Sequence, residues 1–208
     1  MEIVIENYSK KIRKQDVLKE INYSFTSGKL YGVFGKNGSG KTMLLRALAG
    51  LIFPTQGRIL YDGRELRKDM DFPENIGIMI EYPDFIPQYT GFMNLKLLAS
   101  IRNKIGDEEI YNTLDRVGLT PDDRRKVRKY SLGMKQRLGI AAAVMENPEI
   151  LLLDEPFNAL DETGIQLLHG LLEEYRDSGK LIIVASHDKE EVYRLADQVL
   201  YLEAGRIV

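Results

Sequence analysis

Gly35-Lys36-Asn37-Gly38-Ser39-Gly40-Lys41-Thr42 fits the spacing G-x-x-x-x-G-K-[ST] and stands between an apolar run, Lys29–Phe34, and a short helix-forming stretch, Lys41–Ala49, stopped by Gly50. This constrains the fold more than any other stretch, because it demands strand, loop and helix in that order. Glycines let the backbone curl so that several N–H groups point inward at an anion. The following helix adds its positive N-terminal end. Lys41 offers a full charge to the outer phosphates of a nucleoside triphosphate, and Thr42 a hydroxyl to Mg²⁺. Four specified positions match by chance in a chain of this size on the order of one time in a hundred, and the strand–helix context lowers that further.

A second short motif complements the first. Ile150-Leu151-Leu152-Leu153 is followed directly by Asp154-Glu155. A strand buried on both faces tolerates charge only at its carboxyl end, which is where open α/β sheets bind ligands. Asp154 is thus a candidate Mg²⁺ ligand, and Glu155, one residue beyond the strand, a candidate base or orienting group for the attacking water. Pro156 ends the regular pairing.

The rest of the chain supplies the frame. Glu2–Glu6 and Ile21–Thr26 alternate polar and apolar residues as half-buried strands do, and Gly57–Tyr61 with Asp62-Gly63 reads as half a hairpin. Ile76–Ile80 is another apolar strand. Helices are expected at Gly91–Arg102 behind Thr90, at Glu108–Val117 behind Asp107, and from Ser131 onward. Strand Ile150–Leu153, helix Asp161–Asp177, strand Leu181–Ala185, helix Lys189–Ala196 and strand Gln198–Glu203 then alternate, which implies a mainly parallel sheet covered on both faces. The fold class is therefore α/β, with a core formed by residues 1–82 and 147–208 and a helical lobe at 83–146.

Composition removes whole classes of chemistry. Among 208 residues there is no cysteine, which excludes disulfides, thiol nucleophiles and thiolate metal sites. Two histidines, His169 and His187, are too few for a multi-histidine metal centre. A net charge of -2 argues against a nucleic-acid partner. The basic run Arg124–Lys129 follows Asp122-Asp123 and reads as a solvated helix face with no assigned role. No apolar run is long enough to span a bilayer and no signal peptide is visible, so the chain reads as soluble and cytoplasmic.

Three further motifs complete an ordered series: Tyr130-Ser131-Leu132-Gly133-Met134-Lys135-Gln136-Arg137, Asn158-Ala159-Leu160-Asp161, and Ser186-His187. The series resembles the ATP-binding cassette family over essentially the whole chain, specifically the nucleotide-binding subunit of a transporter. The resemblance implies a P-loop NTPase (RecA-like) core with a parallel sheet, a small antiparallel β part and an inserted helical subdomain. It further implies ATP and Mg²⁺ as ligands, hydrolysis of ATP, and a second cassette subunit, identical or not. By the family's pattern Ser131-Leu132-Gly133-Met134 form the signature, in which Ser131 and Gly133 contact the γ-phosphate bound on the other subunit. Asp161 belongs to the loop joining the two sites, and His187 is the switch histidine. Ser131 also suits the N-cap of the helix it opens. His169 is an ordinary helix residue.

Three positions depart from the family. Leu132 stands where a glycine is usual and carries a Cβ, which makes left-handed backbone costly there. Glu81 replaces a glutamine whose oxygen approaches Mg²⁺, as in the subgroup linked to bacitracin and lantibiotic resistance; it stays an oxygen ligand but adds charge. Ile12 occupies the place of the aromatic ring under adenine, where it covers the base without π-stacking, while Tyr8 faces the core. The resemblance also implies a separate integral membrane permease, which would hold the subunit at the inner face of the membrane, and it favours export. The groove at Glu81–Gln88, with Tyr82, Phe85, Ile86 and Tyr89, is the expected docking surface. The rival is a soluble cassette ATPase performing mechanical work without transport.

Overall fold

The computed structural model describes residues 1–81 and 84–208. The chain opens with a long antiparallel hairpin, β1 (Glu2–Ile12) and β2 (Gln15–Thr26). Both strands run further than the alternation of their sequences indicates, because the largely polar ends on either side of the Arg13-Lys14 turn pair through their backbone across several register shifts. Asn7 and Glu20 take left-handed φ near these irregularities, as bulged strands do. Strand β3 (Lys29–Phe34) enters the glycine loop, α1 (Lys41–Leu48) leaves it, and β4 (Gln56–Tyr61) and β5 (Arg64–Glu65) form the next hairpin. Together β2-β1-β4-β5 make a four-stranded antiparallel sheet.

The main sheet adds β6 (Ile76–Met79), β7 (Ile150–Asp154), β8 (Leu181–Ser186), β9 (Gln198–Glu203) and β10 (Arg206–Ile207), in the order β10-β9-β3-β8-β7-β6. All its pairings are parallel except that of β10 with β9. Helices α5 (Glu162–Asp177) and α6 (Lys189–Leu195) form the crossovers among β7, β8 and β9. Between β6 and β7 lie α2 (Gly91–Arg102), α3 (Asp107–Arg116) and α4 (Leu132–Val144). Thr90 caps α2 by accepting from the Met93 N–H. Helix α3 starts one residue earlier than its sequence suggests: Glu109 reaches back to the Gly106 N–H, so Asp107 is inside the helix and not its cap. The basic run Arg124–Lys129 forms no α-helix; it ends in a single 3-10 turn, Val127–Lys129, with Val127 buried and Arg125 paired to Asp123.

Alternation along the central strands divides the interior in two. Ile150, Leu152, Leu181 and Ile183 pack with Leu44, Leu45 and Leu48 of α1 and with Ile3, Leu18 and Phe25 of the antiparallel sheet. Leu151, Leu153, Ile182 and Val184 point the other way, against residues of α2 to α5. Each fully buried side chain of this size stabilises the fold by about 1.5–3 kcal/mol, so both faces of β7 and β8 are committed to packing. Charge is left only the carboxyl edge. Parallel register does the rest, aligning Asp154 with Ala185 and Phe34 with Ser186.

Candidate active site

The loop between β3 and α1 carries the buried ammonium of Lys41, which is 5% exposed. Its Nζ donates to the Gly35 carbonyl at 2.7 Å and lies 3.3 Å from Glu155 Oε1. Gly40 precedes the helix at φ 111, backbone that a residue with a Cβ rarely adopts. Its Cβ would also stand 2.9 Å from the Val17 carbonyl. Gly38, Lys41 and Thr42 line a cleft with Asn37, Val17 and Glu155, while Lys36 and Ser39 face a neighbouring depression behind the loop.

At the end of β7, Asp154 is 4% exposed. The Thr42 hydroxyl donates to its Oδ2 at 2.7 Å, while its Oδ1 is buried without a hydrogen-bond partner. Burial, with the neighbouring Glu155 charge, pushes the Asp154 carboxyl above its ordinary range, and the Thr42 bond, the Glu81 backbone N–H and the Lys41 charge only partly offset it. A desolvated carboxylate with a free oxygen beside a hydroxyl is a donor set suited to a hard divalent cation. Thr42 and Asp154 therefore fit Mg²⁺.

Glu155 follows in left-handed backbone, φ 50. Its N–H donates to the Ala185 carbonyl at 2.8 Å, so β8 holds the turn. Its Oε2 accepts from the Ser186 hydroxyl and the His187 backbone N–H, each at 3.2 Å, and stands 2.8 Å from His187 Nδ1. Thus Lys41, Glu155 and His187, from three separate elements, meet in one chain of contacts. Asp188 caps α6 directly after His187, accepting from the Glu190 and Glu191 N–H groups.

The segment Tyr130–Arg137 forms a second surface. Ser131 Oγ accepts from the Met134 N–H at 3.1 Å, making it the N-cap of α4. Leu132 is 55% exposed and already helical, so no left-handed backbone arises. Gly133 has a steric reason to be glycine: a Cβ there would stand 2.7 Å from the Ala159 carbonyl. Ser131, Leu132, Gly133 and Met134 line one depression with Asp161, Ala159 and Arg137. Asp161 caps α5 through the Gly164 N–H and pairs with Arg137 at 2.5 Å, which holds its carboxyl below the ordinary range.

Several residues sit otherwise than their sequence context suggests. Ile12 lies at the end of the β1–β2 hairpin, 42% exposed, and does not line the cleft beside the glycine loop; Lys14, Gln15, Asp16 and Val17 of the hairpin do. Arg13-Lys14 form the hairpin turn directly after Ile12, which pairs with Gln15 across it. Glu81 shares a depression with Asp154, Glu155, Gln136 and Asn158, but its carboxylate turns to Arg46 of α1, with Oε2 2.9 Å from Nη2. In the expected docking groove Ile86 and Tyr89 are exposed, Phe85 packs against the helical core, and Tyr82 lies outside the described residues. His169 lies within α5, as its sequence context suggests, and its side chain is buried edge-on to Phe157, with Nε2 2.6 Å from Glu191 Oε2.

A glycine loop on a parallel sheet, with an aspartate, a glutamate and a histidine at the ends of adjoining strands, defines a nucleoside-triphosphate-binding cassette. The family model for the ABC transporter matches residues 18–158. The chain is 49% identical over 205 residues to the uncharacterized ABC transporter ATP-binding protein YybJ of Bacillus subtilis (strain 168), covering 99% of this chain and 94% of that one. It is 37% identical over 205 residues to the lantibiotic transport ATP-binding protein SrtF of Streptococcus pyogenes, covering 98% and 88%. The solved dimeric structure of a bacterial ABC transporter cassette superposes with a TM-score of 0.84 at 27% identity, over 99% of this chain and 96% of that one. The chain belongs to the ABC transporter family, as an ATP-binding subunit and an ATPase. Among the described residues, no helix is long and apolar enough to cross a membrane.

Proposed function

We propose that two such subunits close head to tail around two ATP molecules and drive transport, in the export direction, through a separate membrane permease that holds them at the inner face of the membrane. The observation that carries the hydrolytic part is the placement of Glu155 between Lys41 and His187. Its carboxylate lies at the carboxyl edge of the sheet, beside the loop that cradles the triphosphate. There it takes the proton of the attacking water, while His187 holds the carboxylate's orientation and meets the γ-phosphate. Lys41 moves its charge from the Gly35 carbonyl onto the outer phosphates, and the backbone of Gly35, Lys36, Asn37, Gly38, Ser39 and Gly40 supplies N–H donors around them. Thr42 and Asp154 would hold Mg²⁺, which would neutralise charge on the phosphates.

The second subunit completes the pocket. Ser131 keeps its own O–H free because its oxygen accepts from Met134, and the first N–H groups of α4 need an acceptor. These groups, with Leu132, Gly133 and Met134, meet the γ-phosphate of the partner's nucleotide, and Asp161 lies on the loop between the two sites. ATP that binds the closed pair better than the open one shifts the pair toward closure, and hydrolysis releases it. The chain is then one cassette domain over 1–208, in which the helical insertion 83–146 carries α4 to the partner and offers Ile86 and Tyr89 to the permease. Export is favoured by the relative named for lantibiotic transport and by Glu81 standing at the glutamine position.

Glu155→Gln tests the core of this reading. It keeps the shape and removes the base, so nucleotide binding is retained while turnover nearly vanishes. An unaltered rate of ATP hydrolysis in this variant would refute it. Copurification with a polytopic membrane protein separates the transport reading from a soluble mechanical ATPase.

A further inference from the structure

Glu155 stands in backbone that costs a residue with a Cβ about 1–2 kcal/mol, and such strain persists only where the surroundings over-determine it. Its N–H is taken by β8, and its carbonyl accepts locally from the Asn158 N–H at 3.2 Å. A further restraint on that carbonyl, and the one that also holds the next, comes from elsewhere in the chain. Gln136, on α4 and 4% exposed, donates Nε2 to the carbonyls of both Glu155 and Pro156, each at 3.1 Å. One residue on, Arg137 donates to Asp161 Oδ1, and to the Val117 and Gly118 carbonyls at 3.2 Å. One turn back, Gly133 backs onto the Ala159 carbonyl. Helix α4 therefore grips the segment 155–161 at its start, middle and end.

We propose that Gln136 is a positioning residue that sets the aim of the Glu155 carboxylate. The inference rests on the reading of Glu155 as the base. The helix whose N-terminus meets the partner's nucleotide then also fixes the carboxylate acting on its own nucleotide. A shift of α4 along its axis reaches Glu155 through two hydrogen bonds to consecutive carbonyls, without passing through the sheet. Two bonds from one amide define an orientation that one bond would leave free to swivel. Gln136 is buried and spends its Nε2 donors on two carbonyls of its own chain, so its effect falls on turnover and not on affinity.

Gln136→Met keeps the volume of the buried side chain and removes both donors. In the full chain, kcat should fall by at least about tenfold with KM for ATP within about threefold, the signature of an interaction that matters only in the transition state. In the Glu155→Gln background the same substitution should cost no further activity, because residues that act through one another are not additive. Gln136→Glu, nearly identical in shape, sets an acceptor against two carbonyls and should lose at least as much kcat as Gln136→Met. Wild-type kcat in Gln136→Met and Gln136→Glu, a rise in KM at constant kcat, or a multiplicative loss in the double variant would each overturn the assignment. Turnover lost in Glu155→Gln but kept in both Gln136 variants refutes the role of Gln136 alone. Turnover kept in all three refutes the underlying reading of Glu155 as well.

Discussion

Asp154→Asn makes the metal-free protein more stable while disabling it. The wild-type carboxylate is buried, with one oxygen bonded to Thr42 and the other without a hydrogen-bond partner. Taking an ionised carboxylate out of water costs several kcal/mol even after relaxation, and the cost is borne here so that the free oxygen can meet a cation. Asparagine keeps the volume and still accepts from Thr42, but that bond drops from charge-assisted to neutral, a loss of about 1 kcal/mol, and its NH2 takes the partnerless oxygen's place as a buried donor, a further cost of about 1 kcal/mol. The net gain is on the order of 2 kcal/mol, which for a chain of this size raises the melting temperature by about 4–8 °C. Thermal unfolding in EDTA, followed by circular dichroism, reads this directly. Repeating the melts with ADP and Mg²⁺ supplies the second half: the wild type gains stability from the pair by mass action, and the variant loses the metal-dependent part of that gain. If Asp154→Asn melts at or below the wild type in EDTA, the account of a desolvated charge waiting for a cation is wrong.

Three more outcomes follow from the same geometry. Gly133→Ala places a methyl against the Ala159 carbonyl, so either α4 or the 155–161 segment must shift, at about 1–3 kcal/mol; chemical denaturation measures the loss, and an unchanged midpoint would show that the contact gives freely. Glu81→Gln breaks the partly exposed pair with Arg46 at a cost below ~1 kcal/mol and keeps ATPase activity within about tenfold, a barrier change of ~1.4 kcal/mol; complete loss of turnover would make the carboxylate's charge essential. The Asp161 carboxyl, held low by Arg137, contributes stability that is present above the ordinary carboxylate pKa and lost as pH falls through the lowered one. The deficit of Asp161→Ala, measured by denaturation at a series of pH values, should therefore shrink on acidification, and a deficit independent of pH would contradict the ion pair.

Contiguous chemistry was legible in the amino-acid order. Gly35–Thr42 needs only its neighbours to curl around a phosphate, and Ile150–Glu155 announces a buried strand with acids at one end. Thr90, Ser131 and Asp161 mark helix starts because a cap acts within three residues. β1 and β2 were only partly visible, since their largely polar ends beside the Arg13-Lys14 turn pair through backbone groups and bulges that break the hydrophobic period. Asp107 looked like a cap, but Glu109 bonding back to Gly106 moved the boundary.

What tertiary structure alone decided is which distant groups share an address. Sequence by itself determined that a triphosphate loop and an acidic strand end exist, because each is encoded by adjacent residues with fixed local geometry. It did not determine that Gln136 reaches the Glu155 carbonyl, that Arg137 holds Asp161, that Glu81 turns to Arg46, or that Ile12 misses the cleft. Those depend on strand register, helix phase and the length of a bulged hairpin. A change of one residue in any of these rotates or displaces a side chain by several ångströms, more than a hydrogen bond tolerates.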